Sequence, residues 1–332
     1  MMSLSRRRVS SAFCMAAIAV LASISRAREV EVPQDASAAA AIAQAEAWIT
    51  AHPQDAAGLQ TLARLHALAW AYGETIPLVG AGPLVGASRR DVLPRFAENS
   101  SVLVSRTAPR APLWSSDNVG AGDHKDRPVT AEDAKHLSAA ISAYRKAIEL
   151  HKGNALNGGD ALSELGLGWM LAQQGLYVRG LPAEYFGTRA PTDAEKAAWA
   201  KGIAELGDEH FAVREAAARS LLAAMPGCVR VLREVSSKDP EVTTQIDAIL
   251  QGYYDLQALD DYRKAYDLRV KADLQGQPTY EIDSQISERA AAQILAVLTR
   301  HPDAARKGEV QNVQHAFDVL AQKRQSLMRM PQ

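Results

Sequence analysis

Carboxylate side chains are the first candidates for chemistry in this sequence. Glu46, Glu164 and Glu184 are conceivable general acids for the hydrolysis of a glycosidic bond, which requires a carboxyl group whose pKa is raised by its surroundings. The sequence contains no Glu-Ser pair followed by a glycine-rich segment, a feature that a helical glycan-cleaving enzyme would carry. We therefore expect all three side chains to lie on solvated helix surfaces.

Histidines and one polar cluster are the candidates for metal binding. His52 and His301 each precede a proline at a predicted helix end, whereas His66 falls within a predicted helix and is a candidate for the core. Residues 123–126 read Asp-His-Lys-Asp, and the lysine would repel a cation. No His-Glu-x-x-His, Gly-x-Ser-x-Gly or phosphate-binding loop occurs, so the sequence predicts no catalytic residue, no cofactor site and no metal site.

Aromatic and arginine side chains in the segment 176–191 are the candidates for partner binding. The segment is interrupted by proline and glycine, and these residue types are enriched where proteins bind one another. The candidates are Tyr177, Arg179, Tyr185, Phe186 and Arg189. The alternative is that these rings fold back to cover helix ends.

The composition is that of a globular protein. The chain has 332 residues, of which 47% are hydrophobic, 23% are charged and 6% are aromatic. These values exclude a disordered chain and a protein with many membrane spans. The sequence therefore has ample apolar surface for a core.

The first 27 residues have the three-part layout of a secretory signal. A basic start at Arg6–Arg8 precedes an apolar stretch over residues 12–24, and Ser25 and Ala27 are small residues at the positions before a predicted cleavage site. The apolar stretch is shorter than the ~20 residues that span a bilayer, although an uncleaved anchor or a buried helix is the alternative. We expect a periplasmic or secreted protein cleaved after Ala27, with no transmembrane span in the mature chain. The sequence leaves open the general secretory or the twin-arginine route.

The charge of the mature chain argues against a nucleic-acid partner. Removing residues 1–27, which carry four arginines and no acid, leaves 33 basic and 38 acidic residues, a net charge of −5. Binding to nucleic acid requires clustered lysine and arginine. We expect a protein or peptide partner instead.

Alanine-rich amphipathic stretches predict helices along most of the mature chain. Thr192 and Glu195 form a predicted capping box at one helix start, and Thr130 with Asp133 gives a weaker version at another. Residues 76–128 differ, because their many prolines and glycines predict a long irregular loop. We expect its apolar residues to pack partly on the helices.

Two helical segments repeat one another. Residues 140–150 read AISAYRKAIEL and residues 258–268 read ALDDYRKAYDL. In each segment two alanines flank a tyrosine on one helical face, which allows a neighbouring helix to approach closely, while the arginine and lysine are expected to face water. The predicted packing residues of this kind are Ala140, Tyr144, Ala147, Ala258, Tyr262 and Ala265.

This pattern resembles the tetratricopeptide repeat (TPR) family, in which pairs of antiparallel helices stack into a superhelix. Three places carry the resemblance: the helix end at residues 52–56 (HPQDA), the segment with Leu165, Gly166 and Trp169 after the first YRKA helix, and the end at residues 301–304 (HPDA) after the second. Lys152, where proline is usual, and the Gly-Gly-Asp at 158–160 depart from the pattern.

Between these segments a second repeat type resembles a pair of HEAT helical repeats. Val213 and Val242 are 29 residues apart, as are Leu221 and Leu250, and each valine follows an acidic turn. Arg214 matches the usual Val-Arg pair, whereas Thr243 does not. An ordinary helical hairpin is the alternative.

The resemblances imply an all-α protein, an α-solenoid of TPR-like and HEAT-like hairpins with a long irregular loop. The expected organisation is a signal peptide (1–27), TPR-like helices (28–75), the Pro/Gly-rich loop (76–128), TPR-like helices (129–200), HEAT-like helices (201–251) and C-terminal TPR-like helices (252–332). Stacked repeats form a groove that holds peptides or proteins, so the implied function is that of a non-enzymatic scaffold or adaptor. A cell-envelope hydrolase with an unrecognised site is the alternative.

Overall fold

The computed structural model describes residues 38–72, 129–151, 159–186, 189–276 and 286–328. Within these ranges the protein is all-α, as predicted, and contains no strand. In chain order the helices are α1 (Ala38–Ala51), α2 (Ala56–Tyr72), α3 (Ala131–His151), α4 (Gly159–Leu176), α5 (Asp193–Glu205), α6 (Phe211–Ala223), α7 (Val229–Glu234), α8 (Pro240–Gln275), α9 (Ile286–Arg300) and α10 (Glu309–Met328). A short 3₁₀ helix at Ala183–Phe186 lies between α4 and α5.

Several predicted features lie outside the described residues. They are the signal peptide (1–27), the loop at 76–128 and the polar cluster at 123–126.

Both predicted capping boxes are confirmed. Thr192 Oγ1 accepts a hydrogen bond from the Glu195 backbone N–H at 3.2 Å, and the Glu195 carboxylate accepts one from the Thr192 N–H at 2.8 Å. Thr130 and Asp133 make the same reciprocal pair at 3.1 and 2.8 Å. Each box satisfies backbone donors that the first turn of a helix leaves without helical partners, and so fixes the start of α5 and of α3.

The helices enclose two apolar clusters that share α8. The larger cluster joins α1–α4, the second half of α8, α9 and α10, with Trp70, Tyr144 and Tyr262 among its buried side chains. The smaller cluster joins α5, α6, α7 and the first half of α8, with Leu221 and Leu232 fully buried. Helix α8 is therefore the element that connects the two parts of the core.

Two of the predicted domain limits fall inside continuous helices. Helix α8 runs for 36 residues across the limit placed at 251/252, and α5 crosses the limit placed at 200/201. Gly252 does not interrupt α8, because one glycine in a helix costs only about 1 kcal/mol. It also lies where a side chain has little room, since a Cβ there would be 3.0 Å from His301 Cε1.

The repeated tyrosines pack on α4 from two sides. Tyr144 of α3 and Tyr262 of α8 are both buried, with 1% and 0% of their surface exposed. A Cβ on Gly166 would lie 2.4 Å from Tyr144 Cζ, and a Cβ on Gly168 would lie 2.7 Å from Tyr262 Cε1. Residues two apart point to nearly opposite sides of a helix, so the two glycines let α3 and α8 approach α4 from opposite flanks.

All nine residues predicted to pack between repeats are buried. Their assignment to TPR units stays a prediction. They are Ala140, Tyr144, Ala147, Leu165, Gly166, Trp169, Ala258, Tyr262 and Ala265. The expectation that both basic residues of each YRKA segment face water is wrong for Arg263, whose side chain is 11% exposed. The reason is that Arg263 pairs with the equally buried Glu309 of α10.

Candidate functional site

Three helices present stripes of side chains to a common groove. Residues spaced three or four apart share a helical face, and each of α3, α4 and α8 carries such a series. The stripe of α3 is Ser138, Ile141, Ser142, Arg145, Ile148 and Glu149; that of α4 is Glu164, Leu167, Leu171 and Gln174; that of α8 is Tyr253, Tyr254, Gln257, Asp260, Asp261, Lys264, Asp267 and Leu268. Because α4 packs against both α3 and α8, it forms the floor and the other two helices form the walls.

Two adjoining cavities make up this α3–α4–α8 groove. One has a volume of about 440 Å³ and the other of about 950 Å³. Arg145, Leu171 and Gln257 line both cavities, so they are one continuous groove. The volume of each cavity is within the range of clefts that bind ligands in proteins.

The smaller cavity is the aromatic end of the groove. Tyr185 and Phe186 of the 3₁₀ helix lie edge to face at 5.2 Å, and Tyr253 and Tyr254 do so at 5.0 Å. Burial raises the pKa values of Tyr185 and Tyr254 above the ordinary value, so their hydroxyl groups stay protonated. This end offers apolar ring surface together with hydroxyl groups, a combination common in recognition sites.

The larger cavity is the carboxylate end of the groove. Glu164 of α4 lies beside Asp261 and Lys264 of α8; the lysine Nζ is 2.7 Å from Asp261 Oδ1 and 3.7 Å from Glu164 Oε2. Both acids are buried, with side chains 9% exposed. The expectation that Glu164 lies on a solvated helix surface is therefore wrong, because α4 is covered on both flanks.

The environment of Glu164 favours its protonated form. Burial, and next to it the charge of Asp261, raise the pKa of Glu164 to about 7, whereas Lys264 acts in the opposite direction. Its Oε2 atom has no hydrogen-bond partner among the described residues. The site therefore contains a buried carboxyl group that exchanges a proton near neutral pH and has one oxygen open to a ligand donor.

The groove carries more negative than positive charge. Its carboxylates are Glu149, Glu164, Asp260, Asp261 and Asp267, and its cations are Arg145 and Lys264. Arg145 lies where the two cavities meet, and it makes no hydrogen bond or ion pair to the described residues, so its guanidinium is open to a ligand acceptor.

The predicted partner-binding residues divide into two groups. Tyr185 and Phe186 line the groove. Tyr177 packs edge to face on Trp70 at 5.5 Å, and Arg179 donates to the backbone carbonyls of Arg233 and Val235 at 3.1 and 3.0 Å.

Arg189 lies outside the groove. It is exposed and donates to Glu195 in the capping box at 2.8 Å. The structure thus gives Tyr177, Arg179 and Arg189 partners within the chain, and it places only the neighbouring pair of rings at the groove.

The remaining sequence candidates for chemistry lie elsewhere. Glu184 is exposed, and Glu46 is 3.9 Å from Nε2 of His66. His66 is buried and its Nδ1 is 3.0 Å from Nδ1 of His136. Burial, and then His136, lower the pKa of His66 to about 4, so this histidine is a neutral core residue at physiological pH.

The groove residues missed from the sequence are Arg145, Tyr253, Tyr254, Asp261 and Lys264. The sequence does contain a pattern that includes these residues. Arg145 and Lys264 belong to the two YRKA segments, and the other residues are spaced so that they share a helical face with them. The spacing alone does not say which face of α8 meets α4, and so it does not identify a groove.

A comparison of the chain with protein-family models, curated proteins and solved structures finds no match. No helix in the described part of the chain is both long enough and apolar enough to cross a membrane. The same ranges contain no group of three or more His, Cys, Asp or Glu residues that could hold a metal ion.

Proposed function

We propose that this chain is an exported helical-repeat adaptor that holds an extended peptide segment of a partner protein in the α3–α4–α8 groove. The observation that carries the proposal is the groove itself, which is continuous across three helices and combines half-buried aromatic rings with an open guanidinium at Arg145. Extended peptides are held by main-chain hydrogen bonds and by pockets for their side chains. Arg145 supplies donors for peptide carbonyls, and the two cavities supply the pockets.

The packing order of the helices supports a short α-solenoid. Helices α1, α2, α3 and α4 each pack on the next, α4 packs on α8, and α8, α9 and α10 continue the series. Such nearest-neighbour stacking is what repeat proteins of the TPR and HEAT kinds have in common. On this proposal α5, α6 and α7 form a HEAT-like side unit on the first half of α8.

The experiment that tests binding is selection from a displayed library of random heptapeptides. The chain from residue 28 is immobilised beside two variants, Tyr185→Ala/Phe186→Ala in the groove and Phe211→Ala outside it. Phe211 is a matched control, since it is an aromatic residue that is 65% exposed on α6. Peptides enriched on the unaltered chain and on Phe211→Ala, but not on the double variant, support the proposal. Peptides enriched equally on the double variant overturn it.

A cell-envelope hydrolase is the second candidate, and Glu164 is the observation that favours it. A carboxyl group whose pKa is about 7 is suited to donate a proton to a leaving group. Asp261 lies beside Glu164, and its charge helps to raise the Glu164 pKa. Release of soluble fragments from purified cell walls by the unaltered chain, abolished by Glu164→Gln and kept by Glu215→Gln on α6, would establish the hydrolase instead of the adaptor.

A further inference from the structure

We infer that the peptide held in the groove carries a lysine or arginine bound at Glu164 and Asp261, with an aromatic or large aliphatic side chain four positions away bound among Tyr185, Phe186 and Tyr254. This inference rests on the proposed peptide-binding function and assigns the chemistry of the ligand. Three features of the groove carry it: an unsatisfied buried oxygen, the sign of the charge, and the separation of the two ends.

The buried oxygen is Oε2 of Glu164. The residue is 7% exposed, lines the larger cavity, and has no hydrogen-bond partner for this atom among the described residues. Lys264 Nζ donates to Asp261 at 2.7 Å and forms an ion pair with the Glu164 oxygen at 3.7 Å, which is too long for a hydrogen bond. A buried oxygen without a hydrogen-bond donor costs free energy. An ammonium or guanidinium group that enters the cavity can donate a charge-assisted hydrogen bond to this oxygen.

The sign of the charge selects a cation. The larger cavity is lined by the carboxylates of Glu149, Asp260, Asp261 and Asp267 and by the carboxyl group of Glu164, against the two cations Arg145 and Lys264. Lys264 is already paired with Asp261. An anionic side chain at this end would meet repulsion in a partly buried setting, where charges are poorly screened. A side chain without a hydrogen-bond donor would leave the Glu164 oxygen unsatisfied.

The separation of the two ends sets the spacing. Tyr254 and Asp261 lie on one face of α8, seven residues apart, which is about 10 Å along a helix. Side chains four positions apart in an extended peptide share one face and lie about 13 Å apart, and the length of the lysine or arginine side chain covers the difference. A small amine would fill the carboxylate end alone and leave the ring surfaces of the other cavity uncovered, which is why the occupant is a peptide.

The test uses synthetic fluorescent heptapeptides of alanine that carry one phenylalanine and one lysine four positions apart. The matched peptides replace the lysine by norleucine, which keeps the alkyl chain and removes the charge, or the phenylalanine by alanine. We expect the Phe/Lys peptide to bind at least tenfold more tightly than the norleucine peptide in 50 mM salt. Glu164→Gln should remove this difference, and Glu215→Gln on the exposed surface of α6 should keep it.

The outcomes separate the inference from the proposed function. Equal binding of the lysine and norleucine peptides, still lost in Tyr185→Ala/Phe186→Ala, would overturn the cation site and leave the peptide groove standing. Failure of every peptide to bind, including those from library selection, would overturn the proposed function itself. Binding of 1,5-diaminopentane alone, as tightly as the Phe/Lys peptide and in competition with it, would show a small-amine site and contradict the peptide.

Discussion

Arg263 of α8 holds the carboxylate of Glu309 of α10 with two hydrogen bonds, each 2.6 Å long. Both side chains are nearly buried, at 11% and 10% exposure, and the pair fixes the start of α10 against α8. The corresponding arginine of the other YRKA segment, Arg145, faces the groove. The same motif thus serves packing in one helix and the candidate binding site in the other.

Removal of the Glu309 charge should destabilise the protein strongly. Glu309→Gln removes the buried counter-ion of the Arg263 guanidinium and leaves only the exposed Asp260 near it, which costs about 3 kcal/mol. Urea unfolding followed by circular dichroism measures the free energy of unfolding. The control is Asp260→Asn, which removes an exposed carboxylate 3.6 Å from the same arginine and should cost less than about 1 kcal/mol. Equal effects of the two substitutions would contradict the assignment of Arg263 as a packing residue.

Substitution of Gly166 by alanine should disturb the contact between α3 and α4. The added methyl group would lie 2.4 Å from Tyr144 Cζ, so the ring or the helix must move. Overpacking of this kind costs about 1–3 kcal/mol, although alanine is the better helix former. Tyr144→Leu in the same chain makes room for the methyl group. Denaturant unfolding should therefore show that the double variant is more stable than the sum of the two single effects, and strict additivity would mean that the two residues do not press on each other.

His66 should make the protein less stable in acid. Its pKa in the folded protein is about 4, below the ordinary 6.5, so the unfolded chain binds the proton more readily between these values. The free energy of unfolding therefore falls as pH drops from about 6.5 to about 4, by up to about 3 kcal/mol from this group. His66→Gln should remove that part of the pH dependence, whereas His315→Gln at an exposed position of α10 should not. An unchanged pH profile for His66→Gln would show that His66 is not buried in the neutral form.

Glu164 should make the protein less stable as pH rises, which is opposite to the effect of His66. Its pKa in the folded protein is about 7, above the ordinary 4.5, so the folded protein holds the proton more readily between these values. The free energy of unfolding falls as pH rises from about 4.5 to about 7, and Glu164→Gln should abolish this fall. Thermal or urea unfolding of the variant and of Glu215→Gln, compared at pH 4.5 and pH 8, measures the difference. A Glu164→Gln protein that loses stability with rising pH as the unaltered chain does would contradict the burial of this carboxyl group.

Local signals in the sequence predicted the local structure well. The capping boxes at Thr130 and Thr192 depend on residues three apart, so their hydrogen bonds can be inferred without any tertiary contact. The all-α class follows from the same kind of short-range pattern. The sequence does not predict the length of α8, because the change in repeat type at 251/252 coincides with no break in the helix: neither an internal proline nor a second glycine interrupts it.

The groove could not be assembled from the sequence because its walls come from distant parts of the chain. Arg145 and Lys264 are more than a hundred residues apart, and only the packing of Tyr144 and Tyr262 on opposite flanks of α4 brings their helices to one groove. The sequence of α4 weakly indicates that Glu164 is buried, because α4 is apolar on nearly every side and such helices are usually enclosed by others. A glutamate within such a helix is a better candidate for an altered pKa than one on an amphipathic helix.

Site-specific photo-crosslinking tests the binding role of the groove most directly. A benzophenone amino acid at Gln257, which lines both cavities, is irradiated with the fluorescent Phe/Lys peptide, beside the same probe at Ala216 on the exposed surface of α6. We predict a covalent peptide adduct from position 257, lost when unlabelled peptide competes, and none above background from position 216. Equal labelling at the two positions, or labelling at 257 that competitor does not reduce, would contradict the proposal that the α3–α4–α8 groove is where this protein meets its ligand.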